Sequence, residues 1–556
     1  MSSASLRPPS PAPATVAASS EALEERRQLA SRVLTDALLL GIVGDALLRG
    51  EVMGANMLAM SIAMVAALFT LARRRHDVVP AEARWLAVPV IALALMYLWR
   101  DAESLAAYNT LVLLGTFALL ATAVARGPMA TIVNTRLRDV IEQIMNIGIG
   151  TVLGMFPLVL SDVSLRQVAQ TRSTTRAMAV LRAALIAIPL LLVFGSLFAS
   201  ADPVFARIAG ELFQLDAGEV ASHLFVGGVI AWIAGGFLRA SVLANGQSVW
   251  SDRLPDGTLG LTEVATALGS LVVLFAAFVA VQLRYFFGGE SLVQATVGLS
   301  YADYARRGFF ELVAVSVLVL PVLLAANALL RRDTPRAEKV YRNLASALIA
   351  LLGVIMYSAI ARMRLYQSVY GMSEDRLEAT VFMGWLAVVF IWFVATVLRG
   401  RGERFVAGVL ISGWGTLIAL NVANPAAYVA RSNIERAARG FELDVSYLRS
   451  LGADAAPALT SYLVQQPLTA PVDWAVPAPP DSSRPQAQRG DEFSVRCLAA
   501  RQLLESWGRE SKRDWRGWTL GKSRARTAVA ANEPALRTLA GLSSASTHTQ
   551  CVRPTS

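Results

Sequence analysis

Long apolar runs recur along this 556-residue chain, and no other feature limits its fold so severely. The hydrocarbon core of a bilayer is about 30 Å thick, and about 20 apolar residues in a helix cross it. Inside that core every backbone N–H and C=O must be paired within the chain, which a helix does for itself. Runs of spanning character lie at 33–49, 53–72, 84–100, 105–125, 179–200, 221–239, 261–284, 309–330, 343–361, 378–398 and 404–424. The first and third are short and read as tilted or partly interfacial. A further segment, 140–161, is ambiguous because it carries Glu142, Gln143, Asn146 and Pro157. Composition agrees: 55 % of residues are hydrophobic and 17 % charged, against about 25 % charged in an average soluble chain. The sequence reads as all-α: a polytopic transmembrane helix bundle of about 11 spans, or 12 if 140–161 crosses, with a small helical C-terminal soluble domain. An ordinary cytosolic enzyme is excluded.

Charge sets the orientation. Of 51 basic residues all but Lys339, Lys512 and Lys522 are arginine, and the net charge is +10. Short cytoplasmic loops collect Arg and Lys. With the N-terminus inside and 140–161 not crossing, the inner segments hold Arg73, Arg74, Arg75 and Arg84, then the clusters 331–342 and 399–404. If 140–161 crosses, both clusters land outside. The favoured reading has eleven spans, a cytoplasmic N-terminus, an inner amphipathic or re-entrant insert at 126–178 and an extracytoplasmic C-terminal domain. No basic stretch is interleaved with aromatics as a nucleic-acid site needs.

Three regions follow. Residues 1–30 read as a disordered N-terminal tail, rich at its start in Ser, Pro and Ala. They lack the apolar core of a signal peptide. Residues 31–424 form the membrane domain. Residues 425–556 read as a mostly helical soluble domain with a Pro-rich linker at 467–485; Asp444 is placed to cap a helix that Gly452 ends. The two cysteines, Cys497 and Cys551, both fall in this domain and can form one disulfide in an oxidising compartment. The three histidines lie far apart, so no zinc site and no cofactor is expected.

Several stretches carry a resemblance: SADPVFA at 200–206, QLRYFFGG at 282–289, SYADYARRGFFELVAV at 300–315, RLYQSVYGMSEDRL at 364–377, and NPAAYVARSNIERA with LDVSYLRSLGADAAPAL within 424–459. They resemble an uncharacterised bacterial multi-pass membrane family, one of the domain-of-unknown-function groups. YADYARRGFFEL and YGMSEDR are the specific motifs. The resemblance implies a polytopic protein of the bacterial inner membrane. It implies no activity, substrate or catalytic residue.

Two loops crowd polar residues on one predicted outer face. The first supplies Arg306 and Arg307, with Glu311 at the next helix start; the second supplies Arg362, Arg364, Tyr366, Tyr370 and Arg376. Arginine offers a fork of donors suited to phosphate or carboxylate. These eight residues form the candidate ligand site, for an anionic lipid, a glycan or a peptidoglycan precursor; an envelope protein is the partner expected at the C-terminal domain. The plainer reading is structural: Tyr gathers at membrane interfaces and charges at helix ends pair with each other. Gly371 is placed to make a positive-φ turn ahead of a Ser373 cap. GWTLGKS at 517–523 falls one residue short of a phosphate loop. Gly150 and Gly154 make a helix-packing pair. No serine or cysteine in an outer loop has a nearby histidine, so the expectation leans against an enzyme. The leading expectation is a non-enzymatic envelope sensor, scaffold or transporter-like core. The alternatives are a secondary transporter with a mid-membrane site, and an envelope enzyme handling lipid or glycan.

Overall fold

A computed structural model describes residues 13–50, 53–127, 137–162, 217–243, 258–297, 309–441, 443–465, 492–508 and 514–541, with four single positions between 194 and 202. The described residues are helical and contain no strand; one isolated bridge joins Leu259 to Leu330. In chain order the helices are α1 Pro13–Leu48, α2 Ala55–His76, α3 Ala81–Trp99, α4 Glu103–Arg126, α5 Leu137–Leu153, α6 Met155–Pro157 and α7 Ala217–Val242. They continue with α8 Leu261–Val297, α9 Phe309–Leu329, α10 Pro335–Tyr370, α11 Glu374–Thr396 and α12 Phe405–Ala423. After these come α13 Pro425–Ala437, α14 Val445–Ser450, α15 Ala456–Gln465, α16 Glu492–Trp507, α17 Leu520–Ala531 and α18 Glu533–Leu539.

Nine helices among the described residues are long and apolar enough to cross a membrane, and ten if a bent pair is one span. That pair is α5 with the Met155–Asp162 segment, bent by 54°. It coincides with the ambiguous 140–161. The expected span at 33–49 is helical, as part of α1, but is not among the nine. Asp36 and Asp45 interrupt it and Arg32 and Arg49 bound it, so no full-length apolar window forms. The expected span 179–200, apart from positions 194 and 198, and the linker 467–485 and Cys551 lie outside the described residues.

The apolar surfaces of these helices face outward. The apolar window of α9 has a mean hydropathy of 2.5 and is only 28 % buried. Phe310, Leu318, Val273 and Ile391 are all more than half exposed. A water-soluble protein rarely shows apolar patches of this extent. In hydrocarbon the same surface costs nothing, which fits these helices to cross a membrane.

The chain divides into two compact units: Met1–Ala94, Leu113–Ile132 and Arg138–Val249 in the first; Leu95–Val112, Val133–Leu137 and Trp250–Ser556 in the second. In the first unit small residues set the helix spacing. A Cβ added at Gly41 of α1 would lie 2.7 Å from the Ala231 Cβ of α7, and one at Gly150 of α5 2.7 Å from the Ala240 Cβ. Only glycine lets these backbones approach so closely. The Gly150/Gly154 pair is therefore a packing surface against α7, as its spacing predicts. Asp162 accepts from Arg239 at 2.6 Å and Arg26 at 3.3 Å. Asp45 pairs with the Nδ1 of His223.

The second unit holds two apolar cores. One runs through α8 to α12, from Val264 to Phe405, with Phe393 fully buried between helices. The other is built from α13 to α18, from Ala426 to Ala540. Local signals set the helix limits. Thr334 caps α10 by accepting from Ala337 N–H, with Pro335 at its first turn. Ser373 caps α11 by accepting from Arg376 N–H at 3.4 Å. Asp444 caps α14 by accepting from Tyr447 N–H at 2.9 Å, and Gly452 follows with φ of 71°. These last two caps sit where the sequence places them.

Candidate functional site

The most developed polar assembly in the second unit surrounds Arg100. This residue follows α3 directly, and its side chain is 5 % exposed. Its Nε donates to the Asn421 carbonyl at 2.5 Å and its Nη2 to the Val422 carbonyl at 2.9 Å. Those carbonyls belong to the last turn of α12, where no helical N–H remains to pair them and where the helix dipole favours a cation. Its Nη1 meets Asp454 Oδ1 at 3.2 Å. Asp454, 1 % exposed at its side chain, also accepts from Asn424 Nδ2 at 3.3 Å and from the Asp101 N–H at 2.9 Å. Every charge in this cluster has partners of fixed geometry, as buried charges require.

The assembly extends on two sides. Asn109 of α4 and Asn421 of α12 exchange amide hydrogen bonds, 3.0 Å each way, and are 1 % and 0 % exposed. Asn421 also donates to the Leu417 carbonyl at 2.8 Å. On the other side Asp101 pairs with Lys522 Nζ at 3.2 Å, and that ammonium also donates to the Gly517 carbonyl at 3.0 Å. Lys522 is the lysine of GWTLGKS, so the stretch that resembles a phosphate loop ends in a structural ion pair. A Cβ at Gly521 would fall 2.9 Å from Asp454 Oδ1, which is why α17 can start so close to the cluster. Burial lowers the Arg100 pKa from its ordinary value, opposed by Asp454. Burial raises that of Asp101, opposed chiefly by Lys522.

A second set of contacts joins the α10–α11 turn to the C-terminal helices. Asn433 of α13 brackets Met372: its Oδ1 accepts from the Met372 N–H at 2.9 Å and its Nδ2 donates to the Met372 carbonyl at 2.8 Å. The Tyr447 hydroxyl accepts from the Glu374 N–H at 2.9 Å, and Arg436 Nη2 donates to the Val369 carbonyl at 2.6 Å. Burial, with the charge of Arg376 second, lowers the pKa of Arg436.

The residues expected at an anion site are distributed as follows. Arg376 donates to the Gly371 carbonyl at 2.6 Å and the Tyr370 carbonyl at 3.3 Å, and its guanidinium lies 4.2 Å over the Tyr366 ring. Tyr366 and Tyr370 have ring centroids 5.0 Å apart. These three residues are therefore together, and they close the end of α10. Arg362 is half-buried; Arg364 and Glu311 are exposed. Arg306 and Arg307 lie outside the described residues. Cys497 of α16 is 1 % exposed. Sequence reasoning missed Arg100, Asn109, Asn421 and Asp454. The signal that could have found them was a charged pair, Arg100 and Asp101, in the short gap between two apolar runs, and an asparagine in an otherwise apolar span.

No group of three metal-ligating side chains occurs among the described residues. No curated protein and no solved structure matches the chain. A family model described as "Domain of unknown function (DUF4153)" matches residues 87–462, which take in the last two membrane helices, the α10–α11 turn, Arg100 and Asp454. The match starts well before residue 200, where the first of the quoted motifs begins. With most of its length covered, the chain belongs to this family of unknown function.

Proposed function

We propose that the protein is a non-enzymatic sensor or scaffold of the bacterial cytoplasmic membrane. In this reading a C-terminal domain outside the cytoplasm receives a partner or an anionic ligand. It passes its state to the membrane helices through the points where it is fastened to them. The observation that carries the reading is the Arg100 cluster. One buried guanidinium binds the end of α12 and the Asp454 carboxylate together. Rearranging residues 424–454 therefore perturbs the ends of α3, α4 and α12 directly. The exposed Arg364 and the half-buried Arg362 remain the arginines of the predicted face to which an anionic ligand would bind.

The same contacts support the orientation. Arg100 and Asp101 touch residues 421, 422 and 454, so the α3–α4 gap and the start of the C-terminal domain share one membrane face. An even number of crossings then separates them. Seven of the nine apolar helices lie between. One more crossing completes the count; in this reading it is assigned to the apolar run 179–200, with the bent 137–162 pair as a re-entrant turn, as the sequence alone suggests. The α2–α3 connection carries Arg73, Arg74, Arg75 and Arg84, which favours the cytoplasm for that end. The domain is then extracytoplasmic. Pairing of Cys497 with Cys551 belongs to the same proposal; no free cysteine is found among the described residues.

The test is membrane-impermeant thiol labelling of intact cells. Labelling only after reduction supports an external, disulfide-linked domain. Labelling only after lysis refutes it. A secondary transporter is the second reading, favoured by the 54° break in the α5–α6 pair, since discontinuous helices build mid-membrane sites. Solute uptake by reconstituted protein would decide for it.

A further inference from the structure

A cleft of about 1010 Å³ opens in the C-terminal helices between α13, α15 and the start of α17. That volume is at the upper end for small-molecule sites. Its wall begins at Asn424, the residue that follows the last of the helices apolar enough to cross a membrane. Ile434, Phe441, Leu443 and Tyr462 give it an apolar side.

Its charges are unevenly met. Arg431 and Arg524 both line the cleft and both are exposed. Arg431 uses its Nε on the Ala427 carbonyl at 3.3 Å, which leaves its terminal nitrogens. Neither arginine forms an ion pair among the described residues. The charge of Arg524 is also felt at Arg100. Two acids line the same space. Asp454 forms the floor, and its oxygens already accept from Arg100, Asn424 and Asp101. Glu435 is the remaining one, against two arginines. The cleft therefore presents a net positive, forked donor set beside an apolar wall at a membrane face.

We propose that this cleft holds the phosphate headgroup of an anionic phospholipid, with Arg431 and Arg524 as its phosphate ligands and the apolar side against the glycerol and upper acyl region. Arginine forks match phosphate geometry, and only an amphiphile uses both the charge and the apolar wall. The site is separate from the Arg364 face and does not depend on which side of the membrane the domain occupies.

The experiment uses full-length protein in detergent with phosphatidylglycerol or phosphatidylcholine added, read by native mass spectrometry. Wild type is expected to retain phosphatidylglycerol at least about tenfold better than phosphatidylcholine. R431Q/R524Q should lose that preference, given the worth of hydrogen bonds to charged groups. An A458W variant, which fills the cleft from its wall, should lose it too. Both arginines are exposed, so an unchanged melting temperature for R431Q/R524Q checks that folding is intact. Equal retention of the two lipids by wild type, or an undiminished preference in R431Q/R524Q, overturns the proposal. Displacement of the lipid by equimolar glycerol 3-phosphate overturns the lipid assignment, because it shows that the apolar wall contributes nothing.

Discussion

Arg100 and Asp454 stand 354 positions apart in sequence, yet their side chains meet at 3.2 Å, both nearly sealed from solvent. Because each partner is also held by backbone groups, removing one leaves a buried charge with part of its coordination missing. Breaking such a pair costs about 3–5 kcal/mol. Asp454→Leu is expected to destabilise the C-terminal helices by that order and to open residues 424–454 to protease. R100M/D454L should cost clearly less than the two single changes together. Thermal unfolding of the four proteins in one detergent is the measurement; strict additivity would show that the two residues do not act as a pair.

The Asn109–Asn421 exchange is predicted to act as a polar fastening between α4 and α12. Asn421→Leu leaves the Asn109 amide buried without either of these bonds, at a cost of about 1–3 kcal/mol. N109L/N421L removes both polar groups and is expected to return most of that. Equal instability of single and double variants, read by denaturation in micelles, would argue that the loss is one of shape.

Gly371 combines a φ of 78° with a neighbour, Asn433 Oδ1, that a Cβ would approach to 2.8 Å. Gly371→Ala therefore meets both backbone strain and a clash. The backbone part is about 1–3 kcal/mol, because a φ of 78° with a ψ of −177° is a conformation that essentially only glycine adopts. Adding Asn433→Ala relieves the closest clash and leaves the milder one with Arg436 Nη1 at 3.2 Å, so G371A/N433A is expected to stay below N433A in melting temperature by at least the backbone share.

Arg364 and Arg376 are expected to part company. Arg376→Ala removes two donors to the end of α10 and the cation over Tyr366, so the variant should accumulate poorly. Arg364→Ala should accumulate normally, and any loss of function in it then reports on the ligand face. Equal accumulation of both would show that Arg376 does not hold the end of α10 in place.

The pKa of Asp101 is raised, mainly by burial. A carboxyl with a raised folded-state pKa contributes stability that is complete below its unfolded value. That contribution is lost as pH climbs through the folded value. Asp101 alone should therefore make the protein slightly more stable just below its folded-state pKa than at neutrality. Asp101→Asn is expected to flatten that part of the profile, measured as melting temperature against pH. A profile unchanged in the variant would remove Asp101 as its source.

The spans, the Gly371 turn and the Ser373 and Asp444 caps were legible because each is written within a few residues: an apolar run, a glycine, a short polar side chain ahead of a helix. The Arg100 cluster was not legible in the same way. Its partners lie on α3, α4, α12 and the C-terminal helices, and no local period links them. Arginines at loop edges also look alike in sequence, whether they face solvent or, like Arg376 and Arg100, close the ends of helices. The weak first span is a different case. Its apolar residues do form a helix, but its four flanking and internal charges, Arg32, Asp36, Asp45 and Arg49, weigh against counting it as a crossing.

The C-terminal core draws Ala426, Val429 and Leu463 from before residue 466 and Ala499, Val529 and Leu536 from after 491. During synthesis the first of these leave the ribosome long before the last. Residues 425–465 must then wait, with apolar faces uncovered, until α18 has been made. The Arg100 cluster includes Lys522 through Asp101, so it too closes late. Assembly of the membrane helices and fastening of the domain upon them are thus separated in time. A ribosome stalled before residue 533 would leave a fully inserted bundle carrying an open, chaperone-dependent cap.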